Sequence, residues 1–162
     1  MKGNYVKRIR YENGALDAVD KRLLDALIAN ARISNAELAR HVGLSAPSIA
    51  ERIKRLEEAG VIDGFTVRIN FEALGLPISA WLRIRPIPGQ LHKVVEVLRA
   101  LPEIVECDRI TGEDCLIARA HVKSVHDLER LIDEVSPYAM TNTSIIQSSP
   151  VERRLPRISS ED

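Results

Sequence analysis

Ser34-Asn35-Ala36-Glu37-Leu38-Ala39-Arg40-His41-Val42-Gly43-Leu44-Ser45 holds two helix starts and one helix stop within a single short stretch. The Ser34 hydroxyl is placed to accept from the backbone N–H three residues on, and Glu37 to reach back, which makes a capping box. Leu38, Ala39 and Val42 share one face of the helix that it opens. Gly43 stops that helix, because glycine takes a positive φ with no Cβ clash. Leu44 can bury in the turn, and Ser45 caps a further helix that tolerates Pro47 in its first turn. Ile49, Ile53 and Leu56 form the apolar stripe of this helix, which ends near Gly60. Two short helices with so tight a link make a helix-turn-helix, and the small Ala39 lets them approach closely.

Toward the N-terminus, Leu16, Val19, Leu23, Leu24, Leu27 and Ile28 have the three-and-four spacing of an amphipathic helix with Asp17 as its cap. On the other side, Val61-Ile62-Asp63-Gly64-Phe65-Thr66-Val67-Arg68-Ile69 turns to β-type residues and predicts a linker strand. A period of two then predicts a strand in Ile78-Ser79-Ala80-Trp81-Leu82-Arg83-Ile84-Arg85. Helical spacing returns at Leu91, Val94, Val95, Leu98 and Leu101. Strands at 104–111 and 115–122 flank the turn Thr111-Gly112-Glu113-Asp114. A helix from the Ser124 cap to Pro137 and a strand from Thr141 to about Ser149 complete a βαββαβ order. Both helices are expected on one face of a four-stranded antiparallel sheet. The other face is expected to be bare and apolar, and so to favour sheet-to-sheet association of copies.

The predicted fold is an N-terminal all-α helix-turn-helix domain, winged-helix-like, over residues 1–60, joined by a strand linker at 61–76 to a C-terminal α+β ferredoxin-like sandwich at 77–150, with a tail at 151–162. The chain has 162 residues, 45% of them hydrophobic, which is too apolar for disorder. It contains no apolar run long enough to span a bilayer, so no membrane partner is expected. Met1 to Tyr5 leads into charges, and Cys107 and Cys115 are too few for a disulfide framework, so a reducing, cytoplasmic setting is expected. The two cysteines read as small buried hydrophobes, with a redox pair as the alternative. No histidine spacing suggests a metal site, and no cofactor is expected.

Lys and Arg total 23 and Asp and Glu total 23, a net charge of zero that argues against nucleic acid. The zero is a cancellation: residues 1–70 carry 12 basic against 9 acidic side chains, and residues 71–162 carry 11 against 14. The first ten residues include Lys2, Lys7, Arg8 and Arg10 without an acid, a basic arm that is either a disordered start or an extra DNA contact. With Ile49, Ile53 and Leu56 inward, the helical step puts Pro47, Ser48, Glu51, Lys54 and Arg55 outward, with Arg52 on the flank. Ser45, Ser48 and Glu51 then lie where a recognition helix meets base edges, and Arg52, Lys54 and Arg55 where cations neutralise phosphates. The competing reading is a solvated helix whose acids pair with those bases. The capped helix and glycine turn ahead of it favour double-stranded DNA.

Leu16-Asp17 with Asp20, Leu24 and Leu27, then Arg32-Ile33-Ser34-Asn35-Ala36-Glu37-Leu38-Ala39, then Val42-Gly43-Leu44-Ser45, then Arg52-Ile53-Lys54-Arg55-Leu56-Glu57-Glu58-Ala59-Gly60-Val61-Ile62 together resemble the Lrp/AsnC feast-or-famine transcriptional regulators. The match extends through Gly64, Ile69-Asn70 and the βαββαβ half. It implies a DNA-binding domain joined to a domain that regulates amino-acid metabolism, a homodimer assembling to a tetramer or octamer, and a free amino-acid effector bound between subunits. The resemblance places the effector at Thr111, Gly112, Glu113, Asp114, Val125, Ser144, Ile145 and Ile146. Gly112-Glu113-Asp114-Cys115 is one residue shorter than the family's Gly-x-x-Asp loop and lacks its aromatic residue. From the residues alone, the turn offers backbone N–H groups to a carboxylate and two carboxylates to an ammonium, or is a plain hairpin turn. The same architecture also resembles sirohaem decarboxylases, an enzyme alternative that needs His121, His126 and Arg119 gathered around a tetrapyrrole. A third reading is an effector or interaction module that no longer binds DNA.

Overall fold

The computed structural model describes residues 16–156 and residue 158. The arm from Lys2 to Arg10 and the end from Ser159 to Asp162 lie outside the described residues. Among the described residues the chain divides into two compact units, one within 1–67 and 153–162 and the other at 68–152.

The first unit holds α1 (Ala18–Ala29), α2 (Asn35–Val42) and α3 (Ala46–Glu58). Asp17 caps α1 by accepting from the Asp20 N–H at 2.6 Å. Both halves of the capping box on α2 are present: the Glu37 N–H donates to Ser34 Oγ, and the Ser34 N–H to Glu37 Oε2. Gly43 takes φ +76°, and its N–H and that of Leu44 both reach the Ala39 carbonyl. Ser45 caps α3, and Gly60, Val61 and Ile62 close its end on the Glu57 and Leu56 carbonyls. Leu23, Leu38, Ile49 and Leu56 are wholly buried between the helices. Each contributes about 1.5–3 kcal/mol relative to exposure. In the tail, Ile158 packs on this core and donates its N–H to Asp25 Oδ1.

The strand expected at 61–69 is not formed. Its β-type residues are there, but a strand is a hydrogen-bonded partnership, and no described segment lies in register beside it. Phe65, Val67 and Ile69 are exposed instead.

The second unit opens with a 3-10 turn at Glu72–Leu74 and continues as β1 (Ile78–Pro86), α4 (Leu91–Ala100), β2 (Ile104–Arg109), β3 (Leu116–Val122), α5 (Val125–Val135) and β4 (Ala139–Ile145). The sheet order is β2-β3-β1-β4 with every neighbouring pair antiparallel, the expected ferredoxin-like topology. Ala80, Leu82 and Ile84 of β1 and Leu116, Ala118, Ala120 and Val122 of β3 bury against Val94 and Leu98 of α4 and Leu128, Leu131 and Val135 of α5. The β2–β3 pairing runs one step beyond Arg109, where the Ile110 N–H donates to the Cys115 carbonyl and closes the hairpin around 111–114. β4 begins two residues earlier than expected because β1 extends to Pro86, which pairs with Ala139.

The expectation of a bare apolar face holds only in part: Trp81, Ile117 and Met140 lie on it, but most of its side chains are polar. Register puts Ser79, Trp81, Arg83 and Arg85 of β1 on the outer side, beside Arg119 and His121 of β3, Glu106 of β2, and Asn142 and Ser144 of β4. The alternation that buries the even positions of β1 sends its arginines outward. Trp81 lies on this outer face, with the Arg119 guanidinium 5.6 Å from its ring centre. Cys107 is exposed, against expectation, because β2 is an edge strand. The residue is exposed overall, but its thiol shares the face of its pairing partner Ala118, and partial desolvation there, followed by the charge of Asp108, raises its pKa.

Candidate nucleic-acid interface and effector loop

The outer side of α3 is a shallow concave surface lined by Leu44, Ser48, Glu51, Arg52, Lys54, Arg55 and Glu58. Ser45 and Pro47 stand exposed at its N-terminal end. Ser45 carries out the capping: it accepts from the Ser48 N–H at 3.3 Å, and the two hydroxyls share a 2.8 Å hydrogen bond. A hydroxyl has one donor and two acceptor positions, so Ser48 keeps capacity for a base edge. Glu51 is exposed, and Lys54 makes only a long, exposed pair with Glu58 at 3.7 Å.

Arg52 and Arg55 depart from the expected picture of solvated cations. Arg52 Nη1 donates to Asp17 Oδ2 and to Asp20 Oδ1, both at 2.7 Å. Arg55 Nη2 donates to the two oxygens of Asp20 at 3.2 and 3.1 Å. Asp20 is 2% exposed. The Asp20 N–H and the Arg52 guanidinium hold the Asp17 carboxyl below its usual range, and Asp17, then Asp20, raise the pKa of Arg52. These acids were legible only as helix-start residues: their partners lie more than thirty positions away, beyond any local pattern.

In the second unit, Thr111, Gly112 and Glu113 are exposed and Asp114 is partly buried, with Gly112 at φ +112°. Sequence reasoning missed Arg85. Its Nη2 donates to Glu113 Oε2 at 2.5 Å and its Nε to Asp114 Oδ1 at 3.3 Å. The other expected effector positions are elsewhere. Ile84 pairs with Leu116 and Thr141, so the turn before Leu116 belongs to the Arg85 end of the sheet. Ile145 pairs with Ala80, the Ile146 N–H bonds the Ser79 carbonyl, and Val125 follows Val122, the partner of Ile78. The five positions from Arg85 to Ala80 span ~17 Å at about 3.3 Å per residue. One copy therefore does not bring Thr111–Asp114 together with Val125, Ser144, Ile145 and Ile146.

The tetrapyrrole cluster is not assembled either. His121 shares a 2.8 Å hydrogen bond through Nδ1 with Ser79 Oγ, and Phe71 stacks on its ring at 3.8 Å. His126 stands exposed on α5 beside Glu129, and Arg119 lies over Trp81. Among the described residues no helix is long and apolar enough to cross a membrane.

Comparison with known proteins agrees with this geometry. A family model for winged helix-turn-helix DNA-binding matches residues 16–63, and one for the Lrp/AsnC ligand binding domain matches residues 79–156. The HTH-type transcriptional regulator LrpC of Bacillus subtilis is 33% identical over 82% of this chain and 92% of its own length. LrpA of Mycobacterium tuberculosis is 35% identical over 81% of this chain and 88% of its own. The solved structure of B. subtilis LrpC has a TM-score of 0.81 at 31% identity, covering 86% of this chain and all of that one. The feast or famine regulatory protein of M. tuberculosis complexed with L-methionine has a TM-score of 0.82 at 32% identity, covering 88% of this chain and 99% of that one. The relatives are transcriptional regulators and not enzymes, which sets the decarboxylase alternative aside. On helix-turn-helix, sheet and relatives together, the chain belongs to the Lrp/AsnC family of DNA-binding transcriptional regulators.

Proposed function

We propose that the chain is a cytoplasmic regulator of amino-acid metabolism or transport whose DNA binding responds to a free amino acid held between copies of itself. Residues 1–60 serve DNA and residues 77–150 serve sensing and assembly, joined through 61–76. The carrying observation is the separation of the effector positions: Thr111 to Asp114 lie at one end of the sheet, and Ser144 to Ile146 with Val125 at the other. A second copy whose opposite end faces the first supplies the missing half. Arg85 beside Glu113 and Asp114 sets a cation next to two carboxylates, complementary in sign to the α-carboxylate and α-ammonium of a zwitterion.

The outer sheet face supports a homodimer. Arg83, Arg85 and Arg119 with Glu106 and Asp108 carry both signs of charge around Trp81, as a self-complementary two-fold contact requires. Dimers then assemble to a tetramer or octamer. A dimer sets two α3 helices in major grooves about 34 Å apart. Ser48 and Glu51 meet base edges, with Glu51 suited to the cytosine amino group, and Lys54 and Arg55 meet phosphates.

Calorimetric titration with the twenty amino acids, followed by sedimentation in the presence of any binder, tests the effector. Heat with one or a few of them and a changed sedimentation coefficient is expected, because a ligand shifts an assembly only by differential affinity. No heat and no shift with any of the twenty would overturn the effector reading and leave DNA binding standing.

A further inference from the structure

The charged cluster at the back of α3 is built more carefully than a solvated helix face needs. Asp17 caps α1 and Asp20 lies in its first turn, where backbone N–H groups and the helix dipole favour carboxylates. Asp17 divides its oxygens, one to the Asp20 N–H and one to Arg52. The buried Asp20 carboxylate takes both arginines of α3, Arg52 on one oxygen and Arg55 across the two. Arg52 spends one nitrogen on two acids, and its side chain is only a quarter exposed. Arg55 differs: its side chain is 54% exposed, and only Nη2 faces Asp20. A guanidinium is a rigid planar fork with five donors. Holding Nη2 across both Asp20 oxygens therefore narrows the directions in which Nη1 and Nε point, and Arg55 lines the same shallow surface as Ser48, Glu51 and Lys54.

We infer that Asp20 is a positioning residue for DNA recognition: it ties Arg52 back to α1 and holds Arg55 as a pre-oriented fork for a backbone phosphate. The inference rests on the reading that the outer side of α3 meets DNA. The geometry makes one carboxylate set the division of labour between two arginines on the same helix. The flank arginine ties α3 to α1, and the outer arginine keeps a free edge at an angle that it would not hold as a flexible side chain. Less rotamer freedom remains to be lost when the phosphate arrives.

The sign of one substitution separates this from simple electrostatics. Removing a negative charge near a polyanion strengthens binding when charge alone matters. Asp20→Asn keeps the shape, removes the charge, and in the positioning account weakens binding about tenfold. It also makes the dependence of log K on log salt shallower by about 0.9 for each phosphate that the protein no longer neutralises. Binding is measured by fluorescence anisotropy over a salt series, on a duplex selected in vitro with the unmodified protein, at a temperature where circular dichroism shows the variant folded. Glu57→Gln, which removes an exposed acid on the same helix, is the charge-matched control and is expected to bind as tightly as the parent or more so. Tighter or unchanged binding by Asp20→Asn overturns the inference. Should that variant not fold, Arg55→Lys decides: it keeps the charge without the fork, and parental affinity and salt slope in it overturn the inference equally. Ser48→Ala separates the two readings. A changed base preference in it, with Asp20→Asn binding normally, removes the positioning role and leaves α3 at the DNA. No change in Ser48→Ala, Arg55→Ala or Asp20→Asn removes α3 from the interface and the inference with it.

Discussion

His121 shows how one side chain on the sheet's outer side can be made harder to protonate. Phe71 covers its ring, Ser79 occupies Nδ1, and burial followed by the charge of Arg119 lowers its pKa from the ordinary histidine value. The unfolded chain takes up a proton near pH 6.5, while the folded sheet resists it. The stability contributed by the neutral ring is thus complete above that pH and is lost as pH falls from it toward the lower folded pKa. Thermal melting of the second unit is expected to drop between about pH 7 and pH 5. His121→Asn is expected to melt lower at pH 7 and to show a flatter dependence over that window. An equal slope in both proteins would place the pH sensitivity in another group. Nothing near His121 in sequence announced this environment: alternation put it on the outer face, but the cover comes from Phe71, fifty positions earlier.

Helices and strands were legible wherever their cause is local. Ser34 with Glu37, Ser45 and Ser124 each act within one turn, and all three cap as the residues indicate. Ala80, Leu82 and Ile84 of β1 are buried because a pleat alternates whatever the partner. The segment at 61–69 misled because strand propensity says which residues suit a ladder and not whether a second strand is there to make one. Gly43 gives the sharpest test at this scale. Its φ of +76° lies in the left-handed region, and an added Cβ would meet no atom within 4 Å, so the cost of a side chain there is backbone strain alone. Gly43→Ala is expected to destabilise the helical unit by about 1–2 kcal/mol. Gly43→Asn is expected to cost less, since asparagine tolerates that region. Urea denaturation followed by helical circular dichroism reads both. Equal losses would mean that the side chain and not the backbone sets the cost.

At the scale of the whole molecule, the charge average conceals an uneven distribution that does not follow the division into two cores. The excess of bases in residues 1–70 lies in the first fifteen residues, outside those described, and residues 16–70 carry eight of each sign; the excess of acids in residues 71–162 belongs mostly with the sheet unit. The two faces proposed for function were less legible than the fold, for one physical reason. Arg52 finds Asp20 across thirty-two positions, and Thr111–Asp114 parts from Ser144–Ile146 through strand register, neither of which periodicity encodes. The buried clusters share no residue: Leu23, Leu38, Ile49 and Leu56 close one, and Leu82, Ile84, Val94 and Leu131 belong to the other. Removing a buried branched side chain leaves a cavity that costs about 2–5 kcal/mol, felt by the side chains that lined it. Ile49→Ala is therefore expected to speed amide hydrogen exchange in α1, α2 and α3 while β1 and β3 exchange as before. Leu82→Ala is expected to do the reverse. Local opening reports the stability of the cooperative unit that contains each amide, so the pattern measures how many such units there are. Acceleration throughout the chain from either substitution would mean that the two cores unfold as one, and that a change felt at the sheet is carried to α3 by shared stability.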